Sequence, residues 1–178
     1  MTADGRIFQL NVSRGGVPKH PVTEAHVDAG GMEGDRQADR RIHGGLQRAL
    51  CLFAVEQLAT LRAEGHPIAP GCTGENITTE GLDWRRVVPG VRLRLGAEAL
   101  IEITSYTTPC WKNARWFRDG NPNRMSQDDH PGESRVYARV LQPGLLRTGE
   151  PIELIEETAA RRVRRQQPRT FRWPRDFA

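Results

Sequence analysis

Cysteine, lysine and long apolar runs are scarce in this chain of 178 residues. Its three cysteines, Cys51, Cys72 and Cys110, are scattered and lack CxxC spacing. That excludes a disulfide framework and a four-cysteine zinc site. No stretch approaches the roughly 18 consecutive apolar residues of a membrane span. The N-terminus lacks a basic segment followed by an apolar one, so no secretory signal is expected and a cytoplasmic location is. There is no GxGxxG after a strand, no Walker loop, and no spacing from which a Ser-His-Asp arrangement can be argued. Only Lys19 and Lys112 are lysines, against 24 arginines.

What is present suffices for one packed domain: 37% hydrophobic and 27% charged residues, with Gly 18 and Pro 12 marking many turns. The formal net charge of +4 is unevenly placed. Residues 159–178 hold seven arginines and one acid, Asp176. The remainder has 19 basic and 21 acidic residues, so the body is near neutral. The division expected is a folded domain over 1–158 and a basic tail over 159–178. Phe171 and Trp173 give that tail stacking groups, but the neutral body argues against nucleic acid as the principal partner.

Alternation of apolar and polar residues predicts strands at 6–13, 22–28, 75–79, 91–95, 98–106, 134–141 and 150–156. The apolar run ALCLFA (49–54) reads as a buried strand. The segment SRGGVPKHPV (13–22), with Pro18 and Pro21, reads as a loop, and QPGLLRTG (142–149) as a turn. VEQLATLRAEG (55–65) is the one clear helix: Val55, Leu58, Ala59 and Leu61 share a face, and Gly65 follows as cap. WKNARWF after Cys110 allows one or two helical turns. The fold class is mainly β, a barrel or sandwich decorated by one or two short helices.

Cys110 is the most informative residue. Pro109 breaks the strand ladder just before it, which places the thiol on a loop at a barrel rim. Lys112 and Arg115 follow closely, and neighbouring cations favour the thiolate, the form that attacks or binds metal. The alternative is a small buried hydrophobe. Cys51 belongs to the core, and Cys72 to a structural loop. GDRQADRRIHGG (34–45) gathers Arg36, Arg40 and His43 before Gly44 and Gly45, an array suited to phosphate or to a salt-bridged surface loop. Lys19, in a loop stiffened by two prolines, is a second point charge for phosphate. Asn76, in GENITTEGL (74–82), orients a ligand or satisfies a turn.

Taken in order, GVPKHPV, GDRQADRRIHGG, ALCLFA, GENITTEGL, PGVRLRLG, IEITSYTTPC and GLLRTGEPIEL resemble the MOSC family (molybdenum cofactor sulfurase C-terminal domain), in its small standalone bacterial form. The likeness runs from about residue 7 to 156. It implies a MOSC-like β-barrel that binds a molybdenum cofactor, with Cys110 as both the protein ligand to molybdenum and the catalytic residue. Lys19, Arg36, Arg40, His43, Gly44 and Gly45 would hold the cofactor's phosphate, with Asn76 and Arg115 in support. The family suggests two activities. One is reduction of N-hydroxylated compounds; the other is carriage of sulfur or cofactor without turnover. The first requires an external electron-donor protein, because nothing in the chain resembles a flavin, haem or Fe–S site. No segment resembles the pyridoxal-phosphate domain found beside some members, so that cofactor is not expected. The polar stretch 121–134, with His130, is a candidate cover for the site.

Overall fold

The computed structural model describes residues 3–36 and 44–155. Its order is β1 (Gly5–Val12), β2 (His20–Val22), β3 (Glu24–Asp28), β4 (Gly31–Met32), β5 (Leu50–Ala54), α1 (Val55–Ala63), β6 (Ile77–Glu80), β7 (Arg92–Leu95), β8 (Ala99–Tyr106), β9 (Val136–Gln142), β10 (Gly144–Arg147) and β11 (Pro151–Ile155). Seven strands close into a barrel in the order β11-β7-β8-β9-β5-β6-β1. The seam is the antiparallel pairing of β1 with β11, Gly5 opposite Ile152. Closure leaves the barrel itself without an open edge. β2 extends the sheet beside β1, and β10-β3-β4 form a separate three-stranded sheet.

Strand composition follows position. β5 pairs with β6 on one side and β9 on the other, and all five of its residues are buried. That is why 50–54 is continuously apolar. β7 shows the half-buried alternation instead. The pairing of β5 with β6 is parallel and requires a crossover, which α1 supplies. Leu58 and Leu61 bury the inner face of α1. Ala59, expected on that face, is exposed: the buried stripe is the i, i+3 pair Leu58 and Leu61, and Ala59 lies to the side of it. Gly65 ends the segment at φ +90°, where a Cβ would be strained. Across β7, β8 and β9 the buried Glu102 accepts from Arg92 and Arg139, each at 2.9 Å.

Two expectations are corrected. Residues 20–22 are not loop but an edge strand, a place where Pro21 needs no ladder partner on its outer side. Residues 144–147 are not turn but β10, paired with β3 from Gly144 opposite Val27 to Arg147 opposite Glu24. Gly144 is obligatory there. A Cβ would lie 2.7 Å from the Glu98 side chain and 2.8 Å from the Ala99 nitrogen. The basic tail, 159–178, lies outside the described residues. Among those described, no helix is long and apolar enough to cross a membrane.

Candidate functional site

A cleft of about 700 Å³, counting its open mouth, lies at one end of the barrel. Loops and strand ends line it, including Ser13, Lys19, Arg36, Arg48, Cys51, Asn76, Cys110, Lys112, Asn113, Arg135 and Tyr137. Residues far apart in sequence meet there because β1, β5, β6, β8 and β9 each contribute an end or an adjoining loop.

One wall is a closed hydrogen-bonded network. The Asp35 carboxylate accepts from the Ser13 N–H at 2.8 Å, the Lys19 ammonium at 2.5 Å and the Asn76 amide at 2.9 Å. The Lys19 and Asp35 side chains are only 10% and 3% exposed. Asn76 also grips the Cys51 peptide from both sides. Its carbonyl oxygen accepts from Cys51 N–H at 3.1 Å, and its own N–H donates to Cys51 C=O at 2.7 Å. Behind this wall the buried Glu75 accepts from Gly71 N–H at 2.6 Å and from the Thr73 hydroxyl at 2.7 Å. Gly71 must be glycine, since a Cβ would stand 2.4 Å from the Lys19 carbonyl oxygen.

The facing rim is the segment after β8. Pro109 and Cys110 leave the ladder, and Trp111–Trp116 form a short 3-10 helix. Cys110 is half-buried on the cleft side, Lys112 is exposed, and Asn113 is buried with its N–H on the Cys110 carbonyl at 2.9 Å. The floor is cationic. Arg135 is 6% exposed and donates to the Thr73 carbonyl, which also accepts from Asn113 at 3.4 Å. The Asn113 Oδ1 and the Arg135 Nε are buried without a partner among the described residues. The guanidinium of Arg48 lies 5.5 Å from the centre of the Tyr137 ring. Burial pushes the Tyr137 phenol up to about 12 and the Cys51 thiol up to about 11, so both are neutral at physiological pH.

Of the residues singled out in the sequence, Lys19, Arg36, Asn76 and Cys110 line this one cleft. Arg115, Gly44 and Gly45 are not among its lining residues. Arg115 turns outward, donating to the Val17 carbonyl and lying 5.0 Å over the Trp116 ring, so it braces the rim instead of facing a ligand. Arg40 and His43 lie outside the described residues. The stretch 121–134 does not cover the cleft. Gln127, Pro131, Gly132 and Ser134 line a separate pocket beside Trp84 and Tyr106 instead. Sequence reasoning missed Asp35 and Arg135. Asp35 is an acid inside the arginine-rich segment 34–45, and Arg135 stands within the strand stretch 134–141, so neither pattern marks it as a site residue.

These residues suit a metal-bearing anionic cofactor on chemical grounds. A thiolate is a soft ligand, and cations with N–H donors bind phosphate. Among the described residues no group of three or more His, Cys, Asp and Glu side chains is arranged for a metal. A metal at Cys110 would thus take further ligands from a non-protein group.

The chain is 32% identical over 134 residues to the protein YiiM of Escherichia coli, covering 72% of this chain and 58% of that one. It is 31% identical over 142 residues to the uncharacterised protein YflK of Bacillus subtilis, covering 79% and 63%. It thus spans about three-fifths of the length of these bacterial relatives. A protein named reductase from Gibberella moniliformis is 30% identical over 132 residues, covering 72% of this chain and 23% of that one. The crystal structure of YiiM from Geobacillus stearothermophilus superposes with a TM-score of 0.67 at 27% identity, over 85% of this chain and 75% of that one. The family model described as the MOSC domain matches residues 39–153, and the chain belongs to that family.

Proposed function

We propose that the cleft holds a molybdenum cofactor through the Cys110 thiolate, and that the protein is an oxidoreductase reducing N-hydroxylated small molecules. The observation that carries this reading is the position of Cys110. It is a half-buried thiol on the rim of a cleft whose other charged lining residues are all cations. The reductase name of the fungal relative supports the reaction class. The reaction balances as R–NH–OH plus two electrons and two protons giving R–NH2 and water. The cofactor, when bound, supplies the two-electron redox centre.

The chain's own residues bind and position. Lys19, fixed by Asp35, presents an ammonium that keeps donor capacity toward a phosphate. Arg36, with its N–H on the Ser13 carbonyl at 2.7 Å, brings a second cation to the same side. Arg48 and Lys112 flank the mouth. Asn76 spends its hydrogen bonds on Cys51 and Asp35, so it shapes the wall and does not grasp a ligand. Tyr137, a neutral phenol, is a proton donor within the cleft. Electrons come from an external donor protein.

The test is molybdenum and pterin content of protein purified from a cofactor-competent host, beside Cys110→Ser. Near-stoichiometric molybdenum in the wild type and its loss in a folded variant are expected. A folded wild type that stays empty after reconstitution overturns the proposal.

A further inference from the structure

We infer that the outer rim of the cleft is the docking face for an acidic redox protein, which delivers the electrons the proposed reaction consumes. The inference rests on the proposal above and deepens it by giving the electron donor a surface and a charge. Two observations on the same loops carry it.

The first is where the exposed apolar side chains stand. Phe8, Leu46, Trp111 and Leu141 are the exposed large hydrophobics among the described residues. Phe8 and Leu141 lie on strands and are 37% and 39% exposed. Leu46 and Trp111 are 67% and 78% exposed, and each stands on a loop beside the cleft. Leu46 opens the 3-10 turn Leu46–Arg48, whose last residue lines the cleft. The Thr104 hydroxyl donates to the Gln47 carbonyl at 2.6 Å and pins that turn to β8. Trp111 is not a lining residue, but its neighbours Cys110 and Lys112 are. Its indole therefore belongs to the outer surface of the rim and not to the ligand space. A tryptophan held out to water on a fixed turn is the kind of side chain that anchors a protein interface.

The second is the charge of those loops. Residues 13–20, 44–48 and 107–118 contain no acid. Arg14, Lys112 and Arg115 are exposed on them. The acids nearest the cleft are turned inward. The Asp35 side chain is 3% exposed and bonded to Lys19. Glu75 is fully buried behind the same wall, accepting from Gly71 and Thr73. These two carboxylates stand against the inner cations Lys19 and Arg135, so the positive charge left at the surface of these loops is that of the rim. Exposed cations around apolar anchors complement an acidic protein surface. A nucleic acid would use the cations and the indole but not Leu46. The rim also adjoins Cys110, so a carrier docked there brings its redox centre to the proposed reaction site. The carrier is oxidised as it delivers the two electrons that each N–O cleavage takes up.

The experiment is calorimetric binding of two acidic carriers, a flavodoxin and a plant-type ferredoxin, to the full chain at low and high salt. Poly-L-glutamate and single-stranded DNA are the probes of charge alone. At least one carrier is expected to bind at low salt and to weaken about tenfold or more at high salt. Trp111→Ala should weaken that binding about tenfold, Leu46→Ser and Arg14→Glu by roughly threefold to fivefold, and Trp111→Phe should restore most of it. Hydroxylamine reduction driven by reduced methyl viologen should be unchanged in these variants, since a small dye needs no docking face. Failure of both carriers to bind overturns the inference. So does a Trp111→Ala variant that binds them like the wild type, or poly-glutamate or DNA binding as tightly as the carriers. Loss of viologen-driven turnover in a folded Trp111→Ala variant places the tryptophan at the substrate and overturns it too. Molybdenum content and viologen-driven turnover of the wild type report on the oxidoreductase reading. A loaded, viologen-active protein that ignores both carriers keeps that reading and loses only this one.

Discussion

The two walls of the cleft are built on opposite principles. The wall of Asp35, Lys19, Asn76 and Glu75 is buried and almost fully hydrogen-bonded to barrel strands and their loops. The rim from Cys110 to Trp116 is a short 3-10 helix of about two turns, with only Asn113 buried, held by Arg115 on the Val17 carbonyl and by that asparagine. The difference teaches where precision is kept. In the reading proposed above, the thiol that would meet the ligand stands on the less buried segment, and the cation fixed by Asp35 stands on the hydrogen-bonded one. The two cysteines repeat the contrast: Cys51, peptide-clamped and desolvated, is held neutral, whereas Cys110 reaches the cleft from the rim.

Variants of the rigid wall should show the largest effects. Asp35→Ala leaves the Lys19 ammonium buried without its partner, and a loss of about 3–5 kcal/mol is expected by urea denaturation. If the loss is under about 1 kcal/mol, the wall is not the rigid half. Asn76→Ala strips the Cys51 N–H and one Asp35 contact, and should cost about 2 kcal/mol in the same assay. On the rim, Arg115→Ala should cost only about 0.5–1 kcal/mol, while lowering cofactor retention through a looser Cys110 segment. A large stability loss there would erase the contrast.

The alkaline limb sharpens the comparison of the thiols. Cys51 is an acid whose folded pKa is raised by burial from 9.0 to about 11. The unfolded chain therefore releases that proton first. Its contribution to stability is intact below about pH 9 and falls progressively up to about pH 11. Cys51→Ala should reduce the loss of stability over that window, as read from melting temperature against pH. The smallest effect is expected from Glu64, which does not line the cleft. Arg124 hydrogen-bonds its carboxylate and holds it below its ordinary range. The contribution is therefore present above a pH of about 4.5 and lost as pH falls further. Because the Glu64 side chain is 37% exposed, Glu64→Gln should change stability by less than about 1 kcal/mol at neutral pH, and by less still in acid.

The barrel was legible in the sequence where burial imposes a period. The apolar run of β5 records a strand enclosed on both faces, and the alternation of β7 and β8 records strands with one open face. β10 escaped because four residues between two glycine-bearing turns carry too short a pattern, and its partner β3 lies over a hundred residues away. The site was half legible. Cys110 announced itself through Pro109 and the end of an alternating run. Lys19 stood out because lysine is rare here. Asp35 and Arg135 did not stand out, since an acid among arginines and an arginine in a strand look like surface charge. Their importance arises only when folding brings β1, β6 and β9 to the same end.

The seam between β1 and β11 has a consequence for how the chain is made. At about 5–20 residues per second, synthesis of the segment separating these strands takes on the order of ten seconds. During that interval β1 can recruit β2 beside the C-terminal half of one edge and, later, β6 along the other. The N-terminal end of the edge that β2 shares waits for residues 151 and 152 to emerge. The nascent chain thus carries an exposed, sticky margin almost until translation of the domain is complete, and that margin is where a ribosome-associated chaperone would be most useful.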